Sequence, residues 1–393
     1  ATTYAVHLKQ KRIVPLLSGK KGQTRQYAMG TIDARDESGK FVYMPGWSMD
    51  NAGIREYDLF KVSLSHGKGV KQANGGPHTY DYIVTPKGEV VARANHDDVS
   101  NRLWFEVPGD LLEWRVVYEE RLRIPSCGLS SITPDYKQLV MSCNSDSKMG
   151  SSYRTIDIET GKISEPMTTS SGAIADWTYS GDDKVLFAIR HLGLRPEFEF
   201  FDKDVQAAYE SLLTKLPGTS LYLMTWNVTP TSKRLIFRLD TGIGGSGKYI
   251  LLDGLTGNIS PIGARYKSIT DLTVGLVHTV EYTAADGLPI EGVLTWPPEA
   301  KTTERLPLIV FPHGGPASHD TITYDFMAQY MARLGYLVFQ PNFRGSTGYG
   351  DAFMRAGDGE WGRKMQTDLS DGIKALAERG WADPDRVCIA GYS

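Results

Sequence analysis

The chain has 393 residues, long for one core when a domain averages about 150, so two or three domains are expected. A hydrophobic share of 41% and a charged share of 23% exclude a disordered chain, and 10% aromatic residues add large side chains to bury. A net charge of -3 creates no field for nucleic acid or anionic lipid, and no run of about 20 apolar residues offers a membrane span.

Cys127, Cys143 and Cys388 lack a C-x-x-C spacing, which argues against a zinc cluster or a dithiol redox pair. Free buried thiols are the preferred reading. A Cys127–Cys143 disulfide on adjacent strands stays open, and with it an oxidising compartment, so the localisation is left unassigned between cytoplasmic and periplasmic or secreted. Ala1 is followed by polar Thr2, Thr3 and Tyr4, so no leader is visible, and one removed earlier stays open.

Residues 1–30 read as the tail of an earlier repeat unit. From residue 31 to 263 one theme recurs: a polar turn, a short alternating strand, and further strands that close the unit. Ser38-Gly39-Lys40 leads into Phe41-Val42-Tyr43-Met44, Thr85-Pro86-Lys87-Gly88 into Val90-Val91-Ala92, and Thr133-Pro134-Asp135 into Leu139-Val140-Met141. Ser180-Gly181-Asp182-Asp183 precedes Val185-Leu186-Phe187-Ala188, and Thr229-Pro230-Thr231 precedes Leu235-Ile236-Phe237. A spacing of about forty to fifty residues is that of four-stranded propeller blades, and a β-propeller is preferred over a β-sandwich of hairpins. One interruption is helical: Val205, Ala208, Tyr209, Leu212, Leu213 and Leu216 share a 3.6-residue period over residues 204–216.

After about residue 271 strands alternate with helices. A hairpin spans residues 277–282 and 290–296 around Asp286-Gly287. Residues 308–311 form an unbroken apolar run, as in a strand buried on both faces. A helix over 325–334, a strand over 336–340, a helix over 364–379 and a strand over 387–390 follow, the pattern of an α/β sheet.

That last strand runs directly into Gly391-Tyr392-Ser393, half of the G-x-S-x-G elbow in which a tight strand-to-helix turn holds a serine hydroxyl outward. Gly-x-Ser is common by chance; the apolar strand entering it is the context an elbow requires. His313-Gly314-Gly315-Pro316 follows the strand at 308–311, where a backbone N–H in a glycine turn can meet the negative charge of acyl transfer. Gly315 is the chosen donor, with His313, Gly314 and Pro316 shaping the loop. The third element is Asn342-Phe343-Arg344-Gly345-Ser346-Thr347-Gly348-Tyr349-Gly350.

These runs, with Trp361-Gly362, Asp368, Asp371 and Asp383-Pro384-Asp385-Arg386-Val387, resemble the prolyl oligopeptidase family, closest to its acylaminoacyl-peptidase and dipeptidyl-peptidase-like branch. The resemblance covers residues 271–393 by motif and the rest by blade pattern alone. It implies a multidomain β plus α/β chain: a β-propeller over residues 1–270, with five to six blades visible, then the N-terminal half of an α/β-hydrolase domain over 271–393. It also implies hydrolysis of short peptides through an acyl-enzyme on Ser393, with no cofactor or metal, no nucleic-acid or membrane partner, and a homo-oligomer as an option. Carried over by position, Ser393 is the nucleophile and Gly315 belongs to the oxyanion loop. Arg344 borders the active site, more as an ion-pairing, loop-ordering residue than a substrate contact. In this fold the acidic residue and the histidine follow the serine, so both are expected beyond Ser393, and His313 and His319 are not favoured as the base. The chain is expected to be incomplete at both ends and nearly inactive as it stands, because an incomplete triad retains only about 10³–10⁴ over water.

An esterase on the same machinery, or a propeller binding protein with a degenerate hydrolase, are the alternatives. Four weaker signals are set aside. Residues 242–247 fit G-x-G-x-x-G but lead into a strand rather than a helix. His96-Asp97-Asp98 reads as a solvated turn before a metal site, and Asp368 with Asp371 reads as capping or ion pairing before a catalytic pair. Glu197 and Glu199 lie in no motif that transfers an amine-binding role.

Overall fold

The computed structural model describes the chain apart from residues 1–2, 18–26, 29–31, 50–52, 54, 110–112, 145–150, 170–173, 182, 192, 230, 242–246, 270–273 and 301–304. The chain divides into two compact units, one drawn from Ala1–Asn144, Ser151–Met167 and Trp177–Ala188, the other from the remaining residues, chiefly Ile189–Ser393.

The first unit is built of antiparallel sheets in simple up-and-down order. Thr79–Val84, Val90–Asp97, Arg102–Pro108 and Trp114–Arg121 pair in sequence, as do Cys127–Ile132, Gln138–Asn144 and Ser151–Asp157. Phe41–Met49 lies between Tyr27–Ala28 and Arg55–Ser63 in another. The repeat heard in the sequence is also present in the backbone. In four turns the same i to i+3 hydrogen bond forms: Gly39 N to Asp36 O, Gly88 N to Thr85 O, Tyr136 N to Thr133 O, and Lys184 N to Gly181 O. Each donor is left-handed, with φ of 65°, 91°, 58° and 55° in that order. Glycine takes this conformation without cost, whereas Tyr136 and Lys184 hold it under mild strain because the sheet on either side fixes the turn. Lys184 has a further anchor, its ammonium pairing with Asp81 and with fully buried Asp33 at 3.1 Å. Burial pushes the Asp33 carboxyl up to about 6, against the pull of Lys184.

Cys127 and Cys143 are direct cross-strand partners and form a disulfide, so the reading of these two as free thiols is corrected. Residues 145–150 lie outside the described region, and the two strands that flank them, Gln138–Asn144 and Ser151–Asp157, pair in unbroken register.

The second unit contains another meander, Ser220–Thr229, Ser232–Asp240, Lys248–Asp253 and Ile259–Ala264. The predicted amphipathic helix runs from Lys203 to Lys215, capped by Asp202, whose carboxylate accepts from the Asp204 and Val205 amides. It buries Val205, Ala208, Tyr209 and Leu212, and Tyr209 stacks against Phe237 with Phe198 and Phe200 edge-on. Leu213, expected on the same face, is 38% exposed.

After residue 276 comes a five-stranded sheet in the order Val277–Thr283, Pro289–Thr295, Leu337–Asn342, Leu306–Val310, Ala382–Ile389. The first two contacts are antiparallel and the last two parallel, because helices now cover the crossovers. The apolar run divides its side chains between two cores. Leu308 and Val310 join Leu294, Phe339, Leu369 and Leu376 beneath helix Lys364–Glu378, while Ile309 joins Val338, Ala328, Met331 and Ala332 beneath helix Phe326–Arg333. Gly372 lets the first helix sit close: a methyl group there would lie 2.5 Å from the Phe339 ring. Ala382–Ile389 forms the sheet edge among the described strands, which leaves Val387 and Ile389 exposed. Cys388 on that strand is exposed as well, correcting its expected burial. No helix among the described residues is long and apolar enough to cross a membrane.

Candidate functional site

The three loops singled out in the sequence meet at one end of the parallel strands. Ile389 pairs with Val310, and the Ala390 amide donates to Val310 O at 2.9 Å, so Gly391-Tyr392-Ser393 emerges beside Pro312-His313-Gly314. Ser393 is left-handed, φ 74°, a conformation that a β-carbon makes unfavourable. The residue of the glycine loop that closes on it is Gly314. A methyl group on Gly314 would stand 3.0 Å from Ser393 Cβ, 3.1 Å from Tyr392 O and 3.4 Å from Ser393 Oγ. Gly314 is not left-handed, so its lack of a side chain serves the close approach to Ser393. Gly315 is the residue with the unusual backbone, φ 125° ahead of a cis bond to Pro316, and its neighbours are Ala317 and Ser318. Tyr392 is 87% exposed.

His313 is held on both sides and against a ring. Nδ1 faces Gly314 O at 2.8 Å, Nε2 faces Ser346 Oγ at 2.9 Å, and the imidazole stacks on Phe343 at 4.7 Å. The Ser346 hydroxyl also reaches Phe343 O at 2.6 Å. Two of these three contacts end on carbonyl oxygens, which only accept, so a neutral ring and one hydroxyl supply two hydrogens for three bonds. Burial lowers the His313 pKa and keeps the ring neutral. One of the three contacts is thus made without a hydrogen, and the two ring nitrogens face Gly314 and Ser346.

Arg344 lies in a buried ion-pair network, the arrangement expected of a loop-ordering residue. Its Nε and Nη2 donate to the two oxygens of Asp368 at 2.8 and 2.6 Å, and its own amide adds a third bond at 3.0 Å. Nη1 and Nη2 reach Asp286 at 2.8 and 3.0 Å, which with Lys364 holds the Asp286 carboxyl far below the usual range. Asp368 is fully buried, and the other acid of the helix, Asp371, accepts from the Ala285 amide. Sequence reasoning preferred capping or ion pairing for Asp368 and Asp371 and missed Asp286, whose only signal was a hairpin turn 58 residues before Arg344.

Reasoning from sequence also underrated residues 318–324. Asp320 exchanges bonds with Asn342, its amide donating to Oδ1 at 2.7 Å and its carbonyl accepting from Nδ2 at 3.0 Å. Its Oδ1 accepts from Gln340, while Oδ2 is shut from solvent without a hydrogen-bond partner among the described residues. Burial and the nearby Asp325 charge push the carboxyl up to about 7. Elsewhere, His96 faces Asp98 at 3.3 Å and Asp97 takes the Ser100 hydroxyl, and no group of three or more potential metal ligands was found among the described residues. Of the glycine run at 242–247, residues 242–246 lie outside the described region.

Residues 322–393 match the model of the prolyl oligopeptidase family. The dipeptidyl aminopeptidase BIII of Pseudoxanthomonas mexicana is 38% identical over 120 residues, covering 29% of this chain and 17% of that protein. A dipeptidyl peptidase family member 6 of Caenorhabditis elegans is 33% identical over 133 residues, covering 29% and 18%. Among solved structures, the Pyrococcus horikoshii acylaminoacyl peptidase superposes with a TM-score of 0.60 at 16% identity, over 98% of this chain and 61% of that one. The matched region thus spans less than a fifth of the two relatives, and the likeness of fold runs over nearly the whole chain.

Proposed function

We propose, from the premise that this chain belongs to the prolyl oligopeptidase family, that it carries the nucleophile of a serine peptidase that hydrolyses short peptides through an acyl-enzyme. The observation that carries the reading is Ser393 held at φ 74° at the end of a parallel strand, with Gly314 packed against its Cβ and Oγ. In this reading Ser393 Oγ attacks the scissile carbonyl. The His313–Pro316 loop lines the site where negative charge develops, with Gly314 or Gly315 supplying the amide, and Arg344 orders the loop at its border. Dipeptidyl or acylaminoacyl release is the preferred mode, following the relatives' names.

The antiparallel meanders are read as blades of a β-propeller over residues 1–270, and residues 271–393 as the first half of an α/β-hydrolase domain. The repeated left-handed turns support the first assignment, and the strand order with helices on both faces supports the second. Neither His313 nor His319 is hydrogen-bonded to Ser393, and both rings are occupied elsewhere. Residues 1–393 alone are therefore expected to be nearly inert, the base being supplied from outside them.

A fluorophosphonate probe tests the reading on the full-length protein. Covalent labelling that maps to Ser393, with release of dipeptidyl or acylaminoacyl anilides, is the expected result. Labelling with turnover of simple esters only would assign an esterase. No labelling at Ser393 would leave a binding protein.

A further inference from the structure

The segment that follows the glycine loop is tied to the strands of the same unit by a row of polar contacts. Ile322 N donates to Leu194 O at 3.0 Å, and Ile322 O accepts from Ser220 Oγ at 2.7 Å. Thr321 Oγ1 meets Tyr222 OH at 2.8 Å, and Thr323 Oγ1 donates to Asp240 at 2.6 Å. Within this row His319 has a distinct place. Its Nε2 faces Gly193 O at 3.1 Å, and its Nδ1 faces Thr347 Oγ1 at 2.9 Å. A carbonyl oxygen only accepts, so the proton sits on Nε2 and Nδ1 accepts from the Thr347 hydroxyl. Both bonds are made by one neutral tautomer, and burial lowers the His319 pKa in keeping with it. Gly348, at φ 86°, lies flat against the ring: a methyl group there would stand 3.3–3.5 Å from three of its atoms. The Thr347 amide, in turn, donates to Ser318 O at 3.0 Å.

We infer that His319 is a positioning residue for the nucleophile site, pinning the outer end of the His313–Ser318 loop at once to Gly193 and to Thr347. The inference rests on the reading of Ser393 as nucleophile. The inner end of the loop is fixed by strand Leu306–Val310, and between the two anchors lies Gly314, the residue in contact with Ser393. With the outer anchor removed, Gly314 and Gly315 move relative to Ser393, and a displacement of about 1 Å costs on the order of 10²-fold in rate. The Gly193 bond is the critical one, since Ser318 O retains its bond to Thr347 N without the imidazole.

Three variants of the full-length protein separate the two bonds. Gln places its amide N–H near Nε2 and keeps a donor for Gly193 O; Asn places its amide near Nδ1 and keeps only the Thr347 side; Ala keeps neither. Expected is a fall in kcat of about 10- to 100-fold for His319→Ala and His319→Asn with KM changed less than about 3-fold, and recovery of most of kcat in His319→Gln. Equal kcat in all four proteins overturns the inference, as does a parallel loss of Tm and kcat across the three variants, which marks a role in folding alone. Thr347→Val, which removes one hydroxyl, serves as the folded control and is expected to lower kcat less than His319→Ala. Fluorophosphonate labelling of the unsubstituted protein distinguishes the two failures. If Ser393 is not labelled the nucleophile reading falls; if it is labelled and His319 is silent, only the positioning role falls.

Discussion

Arg344, Gly314 and Asp320 owe their importance to different physics, and each can be tested separately. Arg344 compensates a carboxylate that has no access to water, since Asp368 is fully buried and takes three of its bonds from this one residue. Arg344→Ala leaves that charge uncompensated, and about 3–5 kcal/mol of stability should be lost, read from the denaturation midpoint. Arg344→Ala combined with Asp368→Ala should be less damaging than Arg344→Ala alone; equal or greater damage would show that the pair is not the cause. Gly314→Ala meets no backbone penalty, and its methyl group enters the space over Ser393. Fluorophosphonate labelling of the full-length protein should slow by an order of magnitude or more with Tm nearly unchanged. For Asp320, a folded-state pKa near 7 means that the native protein holds this proton more tightly than the unfolded chain does. The stability of the protonated form is complete below about pH 4 and lost as the pH rises through about 7. Asp320→Asn should therefore match the parent Tm near pH 4 and exceed it by a few degrees near pH 8. A difference that stays constant with pH would refute the assignment.

At the scale of elements, what could be read from the sequence was local periodicity and turn chemistry. The repeated Pro, Gly, Asp and Ser turns announced the strands that follow them, and Phe41–Met49, Val90–Asp97, Gln138–Asn144, Leu186–His191 and Ser232–Asp240 are where they were expected. The helix at Lys203–Lys215 was legible because four buried side chains obey one period. Pairing across long sequence separations was not legible. Asp286 with Arg344, His319 with Gly193, and Thr323 with Asp240 join residues whose local context says nothing of the partner. Helix Phe326–Arg333 shows the usual cap signal, with Asp325 accepting from the Ala328 amide at 2.7 Å. Asp325→Ala should cost about 1 kcal/mol, measured by thermal or chemical denaturation.

For the whole molecule, the motif-bearing residues fall within 120 positions, yet the fold is shared with the solved peptidase over almost all of the chain. The blade-like meanders diverge freely because their demands are generic: alternation, a tight turn and a cross-strand partner. The loops around Ser393 do not have that freedom, since Gly314 and Gly348 each face a neighbour too close for a side chain to be added without displacement. The Cys127–Cys143 link has a practical corollary in the first unit. The turn between its two strands exposes Lys137, and trypsin cutting there would sever the backbone inside a covalent ring. The nicked protein should migrate as one band on a non-reducing gel and separate into two pieces when thiol is added.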